Sequence, residues 1–214
     1  MMQTNAPFVI TIGRQLASGG GVIGRILAER LQIPLYDRQL LTLAARQSGL
    51  AASCFEQADE KPARRLLSTL VGYLRSPFTG DTGHVDNVLS QEGLFQIQSD
   101  VIRDIAERES ALFVGRCADY VLRDHPRRIA LFVTADRDDR IGRLCTSEGI
   151  TPAEADERIR RIDGHRAAYY NYYSSRPWGE AGTYDLCINT SRLGVEATAE
   201  YLLDFARRRL DLKR

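Results

Sequence analysis

Phe8-Val-Ile-Thr-Ile-Gly-Arg-Gln-Leu-Ala-Ser-Gly-Gly-Gly-Val-Ile-Gly-Arg-Ile-Leu-Ala28 is the stretch on which the reading of the chain turns. Residues 8–12 are short, apolar and β-branched, the composition of a strand buried on both faces of a parallel sheet. From Val22 the apolar positions fall at Val22, Ile23, Ile26, Leu27 and Leu31, the three-and-four spacing of a helix with one buried face. Between the two, Ser18 is placed to cap the helix, and Gly19, Gly20 and Gly21 let the backbone turn. Strand, glycine-rich turn and helix start bring backbone N–H groups and the positive end of a helix dipole to one point, which suits a phosphate. The pattern departs from the standard loop, G-x-x-x-x-G-K-[ST]. With its last glycine set on Gly19, Arg14 falls at the first glycine, Gly20 at the lysine and Gly21 at the hydroxyl. A glycine-rich turn in some other α/β domain is the alternative reading of these residues alone.

Working outward, 214 residues make one α/β domain with room for an inserted lobe. A hydrophobic content of 43% with 27% charged residues is ordinary for a soluble globular protein, and the net charge of +1 gives no reason to expect a nucleic-acid or membrane surface. Cys54, Cys117, Cys145 and Cys187 lie far apart, so neither a disulfide framework nor a zinc site is indicated, and reduced thiols in a cytoplasm are expected. His84, His125 and His165 lack ligand spacing, and no apolar run approaches membrane length.

After the first helix, Leu35-Tyr36 reads as a short strand with Asp37 at its carboxyl end, the edge where ligands bind in open parallel sheets. Asp37 serves equally as the N-cap of a helix over 38–46. From about 49 to 93 the sheet pattern stops, with a helix predicted over 64–74 and a loop over 76–83. A long amphipathic helix follows over 89–107, then a buried strand over 111–115 with Arg116 at its end, facing the same edge as the glycine loop. Its guanidinium fork suits a phosphate or a base edge. Residues 117–123 read as helix, 129–134 as a third buried strand and 136–148 as helix. Thr151-Pro-Ala-Glu154 has the form of a capping box opening a further helix. That segment carries Arg158, Arg160, Arg161, Asp163, Arg166 and Arg176, beside Tyr169, Tyr170, Tyr172 and Tyr173. Arginines so gathered can close over transferring phosphates or simply form a solvated face. The tyrosines fit either core packing or a single-stranded nucleic-acid surface. Residues 184–189 read as the last strand and 194–210 as the closing helix, so strands and helices alternate as in a parallel sheet covered on both faces.

In its motifs the chain resembles the cytidylate kinase-like family, relatives of bacterial cytidylate kinase among the P-loop nucleoside monophosphate kinases. The matching pieces, in order, are Ile12-Gly-Arg-Gln with Ser18-Gly-Gly20, Leu35-Tyr-Asp-Arg38, Val114-Gly-Arg-Cys-Ala-Asp-Tyr-Val121, Ile162-Asp-Gly-His-Arg-Ala-Ala-Tyr-Tyr-Asn-Tyr-Tyr173 and Tyr184-Asp-Leu-Cys-Ile-Asn189. The resemblance implies a P-loop NTPase fold, a three-layer α/β/α domain with a five-stranded parallel sheet. Its core would comprise 1–37, 109–154 and 181–214, with a helical monophosphate-binding lobe over 38–108 and a lid over 155–180. It also implies γ-phosphate transfer from ATP to CMP or dCMP with Mg2+, by a cytoplasmic monomer or homodimer with no nucleic-acid or membrane partner. On that footing Arg14, Gln15, Ser18, Gly19, Gly20, Gly21 and Val22 would hold ATP, and Asp37, Arg38 and Arg116 the monophosphate. Arg14, Arg116, Arg158, Arg161, Asp163 and Arg166 would serve catalysis, and Ser18 or Asp37 would reach magnesium through water. Gly20 removes a cation that kinases of this fold use, and Arg14 or Arg25 is the expected substitute. A nucleotide-binding sensor of the same fold with little or no turnover is the alternative function, and a kinase for a non-nucleotide acceptor a third.

Overall fold

The computed structural model describes residues 6–37 and 91–212. The expectations for Arg38, for Cys54 and for the helices and loop between 38 and 83 lie outside them. Within them the order is β1 (Val9–Arg14), α1 (Gly20–Leu31), β2 (Leu35–Tyr36), α2 (Gln91–Arg108), β3 (Ala111–Val114), α3 (Ala118–Val121), β4 (Arg128–Thr134), α4 (Arg137–Glu148), α5 (Pro152–Ser174), a 3-10 turn (Ala181–Thr183), β5 (Leu186–Asn189) and α6 (Val195–Leu210). The five strands form one sheet in the order β2-β3-β1-β4-β5. Every pairing is parallel, with Val9 opposite both Ala111 and Arg128, Leu35 opposite Leu112 and Leu131 opposite Leu186. Parallel pairing aligns all the carboxyl ends on one edge, so the residues after β1, β2, β3 and β4 share a rim.

The period of two in the strands assigns the layers. Ile10 and Ile12, Leu112 and Val114, and Ile129, Leu131 and Val133 pack with Ile23 and Leu27 of α1 and Ala199, Leu202 and Ala206 of α6. The intervening residues face the other way: Val9, Ala111 and Phe113 meet Ile97, Val101, Ile102 and Ile105 of α2, while Ala130 and Phe132 meet Tyr170 and Tyr184. Among the described residues no helix is long and apolar enough to cross a membrane.

Three local expectations are corrected. Ser18 does not cap α1: the N-cap is Gly19 in the left-handed region (φ 87°), without a side-chain cap bond, and the Ser18 hydroxyl donates to the Gln15 carbonyl at 2.9 Å. The helix expected over 117–123 is cut to four residues because Cys117 is itself left-handed (φ 55°). The last strand begins at Leu186, two residues later than expected, because the Asp185 carboxylate turns back to accept the Ala130 N–H at 2.7 Å. The box at α5 forms as expected, with Thr151 accepting from the Glu154 N–H and Glu154 from the Thr151 N–H. Cys117 is a buried free thiol, and Cys145 and Cys187 are half-buried free thiols.

Candidate functional site

The loop from Arg14 to Gly20 is held by its carbonyls, three from outside and one from within. Arg14 O accepts from Arg166 (3.1 Å), Gln15 O from the Ser18 hydroxyl, Ala17 O from Arg143 (3.1 Å) and Ser18 O from the Thr190 hydroxyl (2.8 Å). Arg143 also donates to Thr190, so α4, the β5–α6 loop and the phosphate-type loop form one connected network. Each tie fixes a peptide plane. At the other end the first helical bond of α1 runs from Ile23 N–H to Gly19 O. The helix therefore leaves the N–H groups of Gly20, Gly21 and Val22 without intrahelical acceptors, at the positive end of its dipole. A loop whose carbonyls are engaged and whose helix-start N–H groups are not is built to receive an anion.

Beside the loop lies a cleft of about 480 Å3, between the ends of β1 and β3 on one side and α5 on the other. Five of the arginines named in the sequence line it: Arg14, Arg116, Arg158, Arg161 and Arg166. Arg14 ends β1 and lies across the end of β3, where a Cβ on Gly115 would overlap its guanidinium. Burial, with Arg166 and Arg116 alongside, pushes the Arg14 guanidinium down to about 9, still protonated at neutral pH. Asp163 and Asp37 offset this only in part. The cluster is thus short of negative charge, a deficit that a phosphate would supply. Arg116 is presented by an unusual backbone: Gly115, Arg116 and Cys117 are left-handed in succession (φ 79°, 61° and 55°). Two non-glycine residues in that region are costly and persist where the surroundings impose them, as at binding sites. The Arg116 guanidinium rests 6.0 Å from the centre of the Tyr169 ring.

Asp163 does not line the cleft but stands behind it. One carboxylate oxygen accepts the Leu16 N–H at 2.8 Å and Arg166 at 3.4 Å, and the other accepts Arg140 at 2.9 Å. Burial pushes its carboxyl up, while the Leu16 N–H and Arg140, Arg166 and Arg14 draw it down. Through these bonds α5 is fastened to the loop. Arg158 is paired with Glu148, so of its charge only a share is left for the cleft.

The inner end of the cleft is aromatic and polar. Tyr169, Tyr170, Trp178 and Tyr184 line it with Asp119, whose carboxylate accepts the Tyr170 hydroxyl at 2.5 Å. Burial raises Asp119, and burial reinforced by Asp119 raises Tyr170 and Tyr184, so all three favour their neutral forms more than they would in water. The Tyr184 hydroxyl sits close enough to Tyr170 and the Gly179 backbone to feel both, yet it completes a hydrogen bond with neither.

Of the other expected residues, Gln15 carries a short hydrogen bond from the Thr134 hydroxyl. Ser18 is fully buried and does not line the cleft, so its hydroxyl orders the loop and fits a metal-ligand role poorly. Asp37 sits at the end of β2, where its charge favours the cationic form of Arg14. Among the described residues no three His, Cys, Asp or Glu side chains gather into a metal-holding group. Arg140 and Arg143 were missed by sequence reasoning. The signal was their three-residue spacing with Arg137, which puts all three on one side of α4. Asp119 and Tyr184 were read only as parts of a helix and a strand.

A family model described as the cytidylate kinase-like family matches residues 9–192. An uncharacterized protein from Eubacterium ventriosum ATCC 27560 is similar in structure, with a TM-score of 0.68 and 26% identity over 96% of this chain and 99% of its own. A shikimate kinase from Bacteroides thetaiotaomicron (TM-score 0.49, 14% identity, 92% and 97% covered) and a gluconokinase from Sinorhizobium meliloti 1021 (0.49, 12%, 97% and 98%) are more distant. No curated protein matches the sequence. With a match across most of its length, this chain belongs to the cytidylate kinase-like family.

Proposed function

We propose that the protein is a nucleoside monophosphate kinase that moves the γ-phosphoryl group of ATP to a phosphate oxygen of CMP or dCMP. The bond from that group to the ADP oxygen breaks as the bond to the acceptor oxygen forms. No general base is needed, because the acceptor is already an anionic phosphate oxygen, and the protein's work is positioning and charge stabilisation. The observation that carries the reading is the crowded cationic trio Arg14, Arg116 and Arg166, set between the anion-receptive loop and the aromatic cleft.

On this reading the N–H groups of Gly20, Gly21 and Val22 hold the donor phosphates. Arg116, with Asp37 and Arg38, receives the acceptor, and Arg166 with Arg158 and Arg161 neutralises charge as α5 acts as a lid. Asp163 contributes by position, since its carboxylate is committed to Leu16 and Arg140. Magnesium, carried in on the nucleotide, would supply positive charge at the donor phosphates. Asp37 acting through water is the side chain left to steady it.

The test is ADP release with ATP and magnesium against CMP, dCMP, UMP and AMP, run beside Arg116→Ala. Turnover of about 1–100 per second on CMP or dCMP, reduced roughly 100-fold or more in the variant, supports the reading. Saturable nucleotide binding without turnover on any of the four refutes it and favours the sensor, to which the glycine at position 20 lends weight.

A further inference from the structure

Position 20 is glycine because position 14 is not. A Cβ on Gly20 would lie 2.6 Å from the Cβ of Arg14, 3.1 Å from its Cγ and 3.3 Å from the Cβ of Val133. Real Cβ atoms essentially never come within 3.0 Å of a neighbour, and the worst of these contacts is with an atom fixed by the backbone. No rotamer relieves a clash between two β-carbons. Of these two positions, therefore, only one can bear a side chain in this loop geometry. The standard loop has glycine at the first position and lysine at the second. This chain has arginine at the first and glycine at the second.

We infer that the cation of the phosphate loop has been exchanged between the loop's two ends, so that Arg14 occupies the space of the absent lysine and supplies its charge to the bound phosphates. The inference rests on the phosphate-binding reading above and names the residue that makes it work. Arg25, the other candidate, is exposed on α1 and does not line the cleft. Arg14 is held in the cleft, and its guanidinium is destabilised as a cation by burial and by Arg166 and Arg116, which is the state an anion relieves.

The exchange changes the direction from which charge arrives. A lysine would rise from the first turn of α1 as a flexible point charge. Arg14 rises from the strand and lies over the end of β3, against Gly115, with a planar fork able to hold two oxygens at once. It therefore faces both the donor loop and the Arg116 side of the cleft. Glycine at 115 belongs to the same device, since a Cβ there would displace the guanidinium.

The experiment titrates magnesium tripolyphosphate, a probe with no nucleoside and no need of an acceptor, by calorimetry, with thermal unfolding alongside. Arg14→Met keeps the β- and γ-carbons that pack on Gly20 and removes the charge. It is expected to fold normally and to bind the probe roughly tenfold or more weakly, the loss of a charge-assisted hydrogen bond. Gly20→Lys alone is expected to lower the unfolding temperature and the affinity together. Arg14→Gly with Gly20→Lys restores the standard order, and this double variant is expected to bind more tightly than Arg14→Gly. The inference is overturned if Arg14→Met binds like the wild type, or if Gly20→Lys alone leaves stability and affinity untouched. A folded double variant no better than Arg14→Gly overturns it equally. Wild-type protein that binds the probe yet turns over no nucleotide refutes the kinase reading and leaves the exchange standing, whereas wild-type protein that does not bind the probe refutes both.

Discussion

Against α1 and α6 the sheet presents isoleucine, leucine and valine to more isoleucine, leucine and alanine, and the buried Thr198 hydroxyl of α6 is turned back onto the Gly194 carbonyl. Against α5 the same sheet presents Ala130 and Phe132 to Tyr170, Tyr184 and Cys117, with Asp119 buried among them. The first layer is close-packed hydrocarbon whose value is removal from water. The second has small residues, rings and hydroxyls around a cleft, and one of those hydroxyls, on Tyr184, has no completed bond. One sheet thus carries an aliphatic layer on one face and, beside the apolar packing of α2, the aromatic cleft on the other, and the division is made by the two-residue period of β1, β3 and β4.

The tie between α5 and the loop is where the division is most easily broken. Asp163→Ala leaves Arg140, whose side chain is only 6% exposed, without its carboxylate and leaves the Leu16 N–H without an acceptor. It should cost about 3–5 kcal/mol, read as a fall in the urea midpoint. A loss under about 1 kcal/mol, the range of an exposed pair, would mean that the pair is held no better than at a surface. In the aliphatic layer Leu131→Ala should cost about 2–5 kcal/mol while leaving activity per folded molecule unchanged. A drop in activity without a drop in stability there would erase the distinction between the faces.

Smaller effects sharpen the contrast. Thr151→Ala removes the cap of α5 and should cost about 1 kcal/mol. Part of that effect depends on pH. The Thr151 N–H and hydroxyl hold the Glu154 carboxyl below its ordinary value. A group depressed in the folded state stabilises above its unfolded pKa and ceases to do so as pH falls through the lowered one. The penalty of Thr151→Ala should accordingly shrink on acidification below the ordinary glutamate range, and a penalty that grew would contradict the box. Smallest, Tyr184→Phe removes an unpaired buried hydroxyl and should leave the unfolding temperature unchanged or slightly raised. A clear fall would show that the hydroxyl has a partner.

These expectations rest on features that differ in how visible they were in the sequence. β1, the start of α1 and the capping box were legible because each is local: β-branching, helical spacing and a four-residue motif. The arginines that line the cleft were legible as a cluster on α5 together with Arg14 and Arg116. What the sequence could not show was direction. Asp163 looked like a cleft residue beside Arg166, yet it turns to Leu16 and Arg140, and Arg140 lay in a segment legible only as helix. The left-handed run Gly115-Arg116-Cys117 had no signal beyond its glycine, because the two side chains after it are held there by tertiary contacts. Ser18 satisfied the composition of a cap, but Gly19 was better suited to the backbone angle at that place.

The strand order has a consequence for how the chain comes to be folded. β1 sits in the middle of the sheet, but its neighbours begin at Ala111 and Arg128. At a synthesis rate of roughly 5–20 residues per second, the first strand waits on the order of 6–24 s before the second of its partners exists. Until then a β-branched segment keeps at least one edge open, the condition that favours pairing with the wrong chain. The strand that organises the finished site is therefore the one that a nascent chain must shield for longest, and slow elongation before residue 134 should raise aggregation more than slow elongation after it.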